Sequence, residues 1–402
     1  MYTPSKADMD FIPWFFSYLT CYPSNFYHEM DVIRLLFEGI ILAAAKQINE
    51  ERSASSIFHL LVGNRNIQTI QDAHIFANQH FYGIYKSLKK PLFDERLRDL
   101  IRRGLLDETV NEKGRSMVSV SKKGLEWLNR NQAELPIHYF RGLEYREKAE
   151  VFYRRLALII QTFTNTKRNH FTFIPVIHDR EVEQFVRKFY HRLKGQEQEY
   201  LETLYVELES LLSKLQEKEA EMFIDRFSGY KHYGKSLDQL ATHYNMDVSD
   251  VRLLLTGIIH FILNHIEKEN NHYQALYAVI ADYKTPVHLS YSTGKTYRLF
   301  QQGYSPEEIA KLRRLKINTI HDHLAEIALY DPDFPITSFV AVKEAEEILA
   351  AMKRTKSFKL KTIKDEVSPT ISYFQIRLML VFQHKWQKEG EHVDTKVFGG
   401  GA

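Results

Sequence analysis

One cysteine, Cys21, stands in 402 residues, which excludes an intramolecular disulfide and any multi-cysteine metal site and suits a reducing cytoplasm. No neighbouring motif supplies it with a base, so packing is its expected role. Glycine and proline are sparse, at 17 and 11, and 44% of the residues are hydrophobic, which excludes fibrous and disordered classes. Long apolar runs are missing as well. The best, Gly39 to Ala45, is bounded by Glu38 and Lys46 and falls well short of the roughly 18 residues of a spanning helix. Asp8 and Asp10 precede the apolar segment Phe11 to Leu19 and no small-residue cleavage site follows, so no signal peptide is expected. Nor is there a surplus of one charge: 54 Lys and Arg oppose 51 Asp and Glu, and a net +3 requires any nucleic-acid footprint to be a local patch. The expectation is a cytoplasmic chain with no membrane partner, nucleoid-associated if it binds DNA.

Catalytic signatures are equally scarce. Thr293-Gly-Lys-Thr296 resembles the end of a phosphate-binding loop, but Leu289 occupies the position where that loop needs its first glycine. Among 18 histidines no pair has the helical spacing of four with an intervening acid, and His321 and His323 point to different sides of a helix. A Gly-x-Ser-x-Gly elbow is absent. The chain is expected to be non-enzymatic, with no cofactor, no bound metal and no small-molecule substrate.

What is present is helical periodicity in a chain long enough for two to four domains. Apolar residues recur at helical spacing from about Phe26 to Leu128, in Val32 to Ile41 and again in Ile75 to Leu88. From Pro91 a helix carries Leu97, Leu100 and Ile101 on one face and stops at Gly104. Met117 to Ser121 alternates like a strand, Asn111 to Gly114 makes a wing turn, and a helix resumes at Lys122, the order of a winged helix. Between Tyr139 and Phe227 the chain is amphipathic, and Leu201, Leu204, Leu208, Leu211, Leu212 and Leu215 form a stripe expected to be core. Pro175 and the aromatic cluster Phe171 to Ile174 mark a bend between helices. The expected fold is mainly α, with helix-turn-helix units and a small winged-helix-like β-hairpin in the N-terminal half. The expected division is 1–135, ending in the winged-helix-like unit; a helical connector 136–285 with a first helix-turn-helix at about 236–256; a helix-turn-helix domain 286–390; and a flexible tail 391–402.

The helix-turn-helix pattern occurs twice. It needs a small residue where two helices cross, a turn about four positions on, and apolar anchors that seat the second helix. In the first copy Ala241 is the crossing residue, Asn245 the turn, Val248 and Val251 the anchors, Ser249 the expected cap and Leu255 the continuing face. In the second, Ser305-Pro-Glu-Glu supplies a cap, a proline at the first helical position and two acids suited to the helix dipole. Ala310 is its crossing residue, Arg314 its turn, Ile317 and Ile320 its anchors, Asn318 its expected cap and Leu324 its continuing face. Lys311, Arg313, Arg314 and Lys316 flank that turn, where a DNA backbone would run, whereas Asp322 and Glu326 on the second helix would oppose phosphates.

Three pieces carry a resemblance: Ser292 to Gly303; Ser305 to Ala310 continuing through Thr319 to Glu326; and Ile363 to Val367 followed by Ile371-Ser-Tyr-Phe-Gln-Ile-Arg-Leu-Met-Leu380. Through them about a quarter of the chain, Leu289 to Lys385, resembles the helix-turn-helix domain at the C-terminus of many bacterial RecQ-type DNA helicases. Ser56 to Gly63 and Gln68 to Ala73 extend the likeness to YpbB-type proteins, which pair that domain with a helical N-terminal half and no helicase motor. Arg314 departs from the pattern, since small residues or glycine are common at that turn. The resemblance implies an accessory role beside a RecQ-like helicase in DNA repair or recombination.

Between 285 and 388 there are 16 Lys and Arg against 11 Asp and Glu, and the run Lys353, Arg354, Lys356, Lys359, Lys361 and Lys364 contains no acid. The expected DNA contacts are Lys311, Arg313, Arg314, Lys316, Thr319 and His321, with Lys353, Arg354, Lys356, Lys359 and Lys361 on phosphates. Two other readings stay open: a scaffold docking on the helicase, with Asp322 and Glu326 as contacts, and a dimeric winged-helix transcription regulator built on residues 91–128.

Overall fold

The computed structural model describes residues 35–111, 114–132, 134–283, 289–331 and 333–388, without the side chains of 383–388. Cys21, the start of the N-terminal helical pattern, Glu112 and Lys113 of the expected wing turn, and the tail from 391 lie outside the described residues. The fold is mainly α as expected, with nineteen α-helices and one two-stranded sheet among the described residues. Contacts group the described residues into two compact units, 35–41 with 126–283 and 42–125 with 289–388. The divisions fall inside α1 (Leu36–Ile48) and α5 (Lys122–Asn131).

The first unit is built on α12 (Val248–Lys268), whose Leu253, Ile258, Ile262, Leu263 and Ile266 are fully buried. Against α12 pack α7 (Lys148–Lys167), α10 (Glu217–Ile224), α11 (Leu237–Tyr244), α13 (Gln274–Ala278) and the 3-10 turn Pro136–Tyr139. α8 (Arg180–Arg192) lies on α7, and α9 (Glu197–Leu212) lies on α7 and α13. The leucine stripe is core: Leu201, Leu204, Leu208, Leu211 and Leu212 are buried, and Leu215 follows half-buried beyond the end of α9. The short α6 (Gly142–Tyr145) completes the unit, its Tyr145 hydroxyl donating to Glu267 at 3.0 Å.

In the second unit, α2 (Ser55–Val62), α3 (Ile67–Ile75) and α4 (Lys90–Arg102) lead into β1 (Leu106–Val110) and β2 (Ser116–Val120), paired antiparallel with Leu106 opposite Val120. Gly104 takes a left-handed φ of 70° and so stops α4, a conformation that favours glycine. Ser53 bridges to Met117, which also faces Thr109, so β2 has a neighbour on each edge. Gly124 in α5 has no room for a side chain, because a Cβ there would sit 2.1 Å from the Leu105 carbonyl oxygen. The C-terminal part of the unit comprises α14 (Tyr291–Gln301), α15 (Pro306–Arg313), α16 (Ile317–Tyr330), α17 (Val342–Thr355), α18 (Leu360–Lys364) and α19 (Tyr373–Lys388). α16 is its centre, packed by α14, α15, α19 and α3.

Candidate nucleic-acid interface

Both helix-turn-helix copies form, and they share their turn geometry. Asn245 (φ 52°, ψ 50°) and Arg314 (φ 53°, ψ 44°) each close the first helix in the left-handed conformation, four residues after the crossing alanine. Ser236 with Gln239, and Ser305 with Glu308, make reciprocal capping boxes at the starts of α11 and α15. The expected caps of the second helices are corrected. Asp247 caps α12 by accepting from the Ser249 amide at 2.8 Å, and α16 begins after Lys316 with no side-chain cap, so Asn318 is its second residue. The reason is the same in both copies: the anchors Val248 and Ile317 are already helical, which moves each cap position one residue ahead of them.

The first copy is packed shut. From Val248 through Glu267 no residue of α12 is exposed, and Ser249 and Asp250, which would face a groove, are each 3% exposed. Asp250 Oδ1 accepts the Phe37 amide of α1 at 2.8 Å. A recognition helix needs an open face at its N-terminal end, and α12 has none. Asp250→Ala is therefore expected to destabilise the first unit by about 1–3 kcal/mol, because the Phe37 donor loses its acceptor, while leaving duplex-DNA affinity within error. Urea unfolding beside anisotropy titration checks both halves.

The second copy is open only at its turn. Along α16 the single exposed residue is Asn318, with Ile317, Thr319, His321 and Asp322 half-buried beside it. The acids that would oppose phosphates are occupied internally. Asp322 pairs with Arg377, and Glu326, 6% exposed, accepts the Ser290 amide at 2.7 Å and the Thr293 hydroxyl at the start of α14. Burial raises the Glu326 carboxyl above its ordinary range, opposed by those two donors.

Two expected contact residues are likewise turned inward. The Arg313 guanidinium donates to Ser292 O at 2.8 Å, to Ser292 Oγ at 3.0 Å and to the Thr296 hydroxyl, and it lies 3.3 Å from His323 Nδ1. His321 stacks on Phe374 at 4.1 Å with 6° between the rings, and burial lowers its pKa. Thr293 and Thr296, the residues resembling a phosphate-loop ending, are fully buried within α14.

What faces outward is cationic. Lys311, Arg314 and Lys316 are exposed around the turn, beside the 58%-exposed Leu312, and α14 adds exposed Lys295 and Arg298, which the sequence pattern did not single out. Glu307 is exposed at the far end of α15, and Glu308 is held by its capping box. Arg314 carries a left-handed backbone at a cost of about 1 kcal/mol for a residue other than glycine. Arg314→Gly is thus expected to raise stability by up to about 1 kcal/mol and, if the turn meets phosphates, to lower the salt slope of DNA binding by about 0.9. Thermal melts and salt titrations separate the two effects.

The basic run is pinned rather than loose. Lys353 and Arg354 end α17, where cations suit the helix dipole, and Lys356 closes that helix at φ 50°. Arg354 reaches the Glu366 carbonyl at 3.2 Å and its carboxylate at 3.6 Å. Glu51 accepts Ser357 Oγ at 2.9 Å and the Phe358 amide at 3.2 Å, Arg52 donates to Phe358 O at 3.2 Å, and the Phe358 ring meets Phe76 edge-on at 5.8 Å. The Lys359 ammonium reaches Glu50 O at 3.3 Å, and Lys364 serves the carbonyls of Ser368, Pro369 and Ile371. Lys353, Lys356, Lys359 and Lys361 remain exposed.

Among the described residues no His, Cys, Asp and Glu cluster suits a metal ion, and no helix is long and apolar enough to cross a membrane. Residues 292–380 match a family model described as a helix-turn-helix domain. Protein YpbB of Bacillus subtilis (strain 168) is 29% identical over 351 residues, which cover 86% of this chain and 97% of YpbB. The resemblance to YpbB-type proteins carrying that domain is borne out. No solved structure matches the chain.

Proposed function

We propose that this chain is a non-enzymatic DNA-binding accessory protein that acts beside a RecQ-like helicase in DNA repair or recombination. The observation that carries the DNA reading is the division of charge at α15–α16: Asp322 and Glu326 are occupied within the fold, while Lys311, Arg314 and Lys316 stand exposed around the turn. Lys353 and Lys356 extend the cationic surface of the same unit. With Asn318 the only exposed side chain on α16, base readout is minimal and contact is through phosphates, so binding is independent of sequence. The helicase partnership rests on the family likeness alone.

Docking on the helicase through Asp322 and Glu326 is disfavoured, since both carboxylates already have partners. An operator-reading winged helix is disfavoured by exposed Asp107 and Glu108 on β1. The test is fluorescence anisotropy with duplexes of unrelated sequence at about 50 and about 200 mM salt. Tight binding that ignores sequence and weakens steeply with salt is expected; no binding at either salt defeats the proposal, and a sharp preference for one sequence favours the regulator.

A further inference from the structure

The second unit contains an open cleft of about 1080 Å³ whose walls come from four separate stretches: the start of α2, the start of α3, the β-hairpin and the basic run. Among the described residues two acids line it, Glu51 and Asp72, against four cations, Arg52, Arg115, Lys359 and Lys361. Asp72 accepts Arg52 Nε at 3.0 and 2.9 Å, and Glu51 accepts Ser357 and Phe358. Arg115 on the hairpin, with Lys359 and Lys361 on the opposite stretch of sequence, therefore sets the sign of the cleft as positive.

The rest of the lining is rich in neutral donors and acceptors, among them Asn64, Asn66, Gln68 and Thr69. Among the described residues the buried Ser56 hydroxyl oxygen, in the first turn of α2, has no hydrogen-bond partner, and Ala54 gives that helix no side-chain cap.

The size and chemistry narrow the ligand. The volume lies at the upper end of the roughly 300–1,000 Å³ of small-molecule pockets, and with walls from several stretches of chain it has room for an extended ligand. A duplex carrying several phosphates meets a surface and does not enter a cleft of this volume, whereas a single strand does. Aromatic platforms for stacked bases are few, since Phe76 is already taken by Phe358 and by the Arg52 guanidinium 5.2 Å from its ring. The strand is held by its backbone rather than by its bases.

We infer that this cleft binds the phosphodiester backbone of a single nucleic-acid strand, at a place separate from the duplex-binding turn at Arg314. The inference rests on the DNA-binding reading above and adds the strand class to it.

The test uses the full chain, a fluorescein-labelled oligothymidylate and a blunt duplex, each titrated by anisotropy across about 50–200 mM salt. In Arg115→Ala/Lys361→Ala the slope of log affinity against log salt for the single strand is expected to fall by about 1.4, at about 0.7 per cation. Duplex affinity and slope stay as in the parent, because Lys361, a general phosphate contact in the sequence reading, is assigned here to the strand in the cleft. Arg115→Ala alone, an exposed hairpin position, gives about half that change, with circular dichroism verifying the fold. An unchanged single-strand slope, or an equal loss on both DNAs, overturns the inference. Parent protein that binds duplex but not oligothymidylate overturns it while leaving the duplex reading intact, and failure on both DNAs overturns both. Polyglutamate that competes as well as unlabelled oligothymidylate overturns the nucleic-acid assignment in favour of an acidic protein segment.

Discussion

Replacing Lys311, Arg314 and Lys316 together by alanine is expected to reduce the affinity for duplex DNA about three and a half orders of magnitude at about 50 mM salt, and about eighty-fold at about 200 mM. Each phosphate contact contributes about 0.9 to the salt slope, so three remove about 2.7, and the losses follow by referring affinity to about 1 M salt, where the counterion contribution vanishes. The three side chains are exposed and outside the Arg313 cluster, so the fold is expected to persist. Equal losses on unrelated sequences mark the contacts as phosphate contacts. A variant that keeps its salt slope places the interface elsewhere.

Acidification from about pH 6.5 to about pH 4 is expected to cost the second unit roughly 3 kcal/mol through His323 alone. Thr296 Oγ1 lies 2.8 Å from His323 Nδ1 and the Arg313 guanidinium, which can only donate, 3.3 Å from it. That nitrogen must be an acceptor, so the ring is neutral with its proton on Nε2. Burial first, and the Arg313 charge second, lower its pKa from 6.5 to about 4. A histidine depressed in the folded state stays neutral there while the unfolded chain takes up a proton below about pH 6.5. Its contribution is therefore fully present above about pH 6.5 and is lost as the pH falls toward about 4. Glu326 acts with the opposite sign, since burial raises its carboxyl, and His321 acts with the same sign as His323. His323→Asn isolates the effect: Asn retains an acceptor without titrating. Urea midpoints between about pH 7 and about pH 4.5 should fall more steeply for the parent than for the variant, and parallel curves would show that His323 is not the cause.

Local pattern made the elements legible, and long-range packing hid how they are used. The offsets from Ala241 and Ala310 placed both turns, because a left-handed residue four positions on is a local requirement. The leucine stripe of α9 and the Gly104 stop were legible for the same reason. Periodicity could not show that α12 lies buried along nearly its whole length, since an anchor pattern looks alike beneath an open face and a covered one. Arg313 and His321 read as surface candidates beside a basic turn, and only α14 and Phe374, neighbours in space, turn them inward. Asp322 and Glu326 looked like liabilities until Arg377 and the start of α14 supplied their partners. The positive cleft was least legible, because Arg115 and Lys361 stand 246 positions apart in sequence.

Hydrogen–deuterium exchange of the full chain, with and without saturating duplex DNA of arbitrary sequence, tests most directly whether the second helix-turn-helix carries the contact and the first does not. Slowed exchange at residues 311–319 with no change at 237–252 is the expected result; slowed exchange confined to 237–252, or none at 311–319, would contradict it.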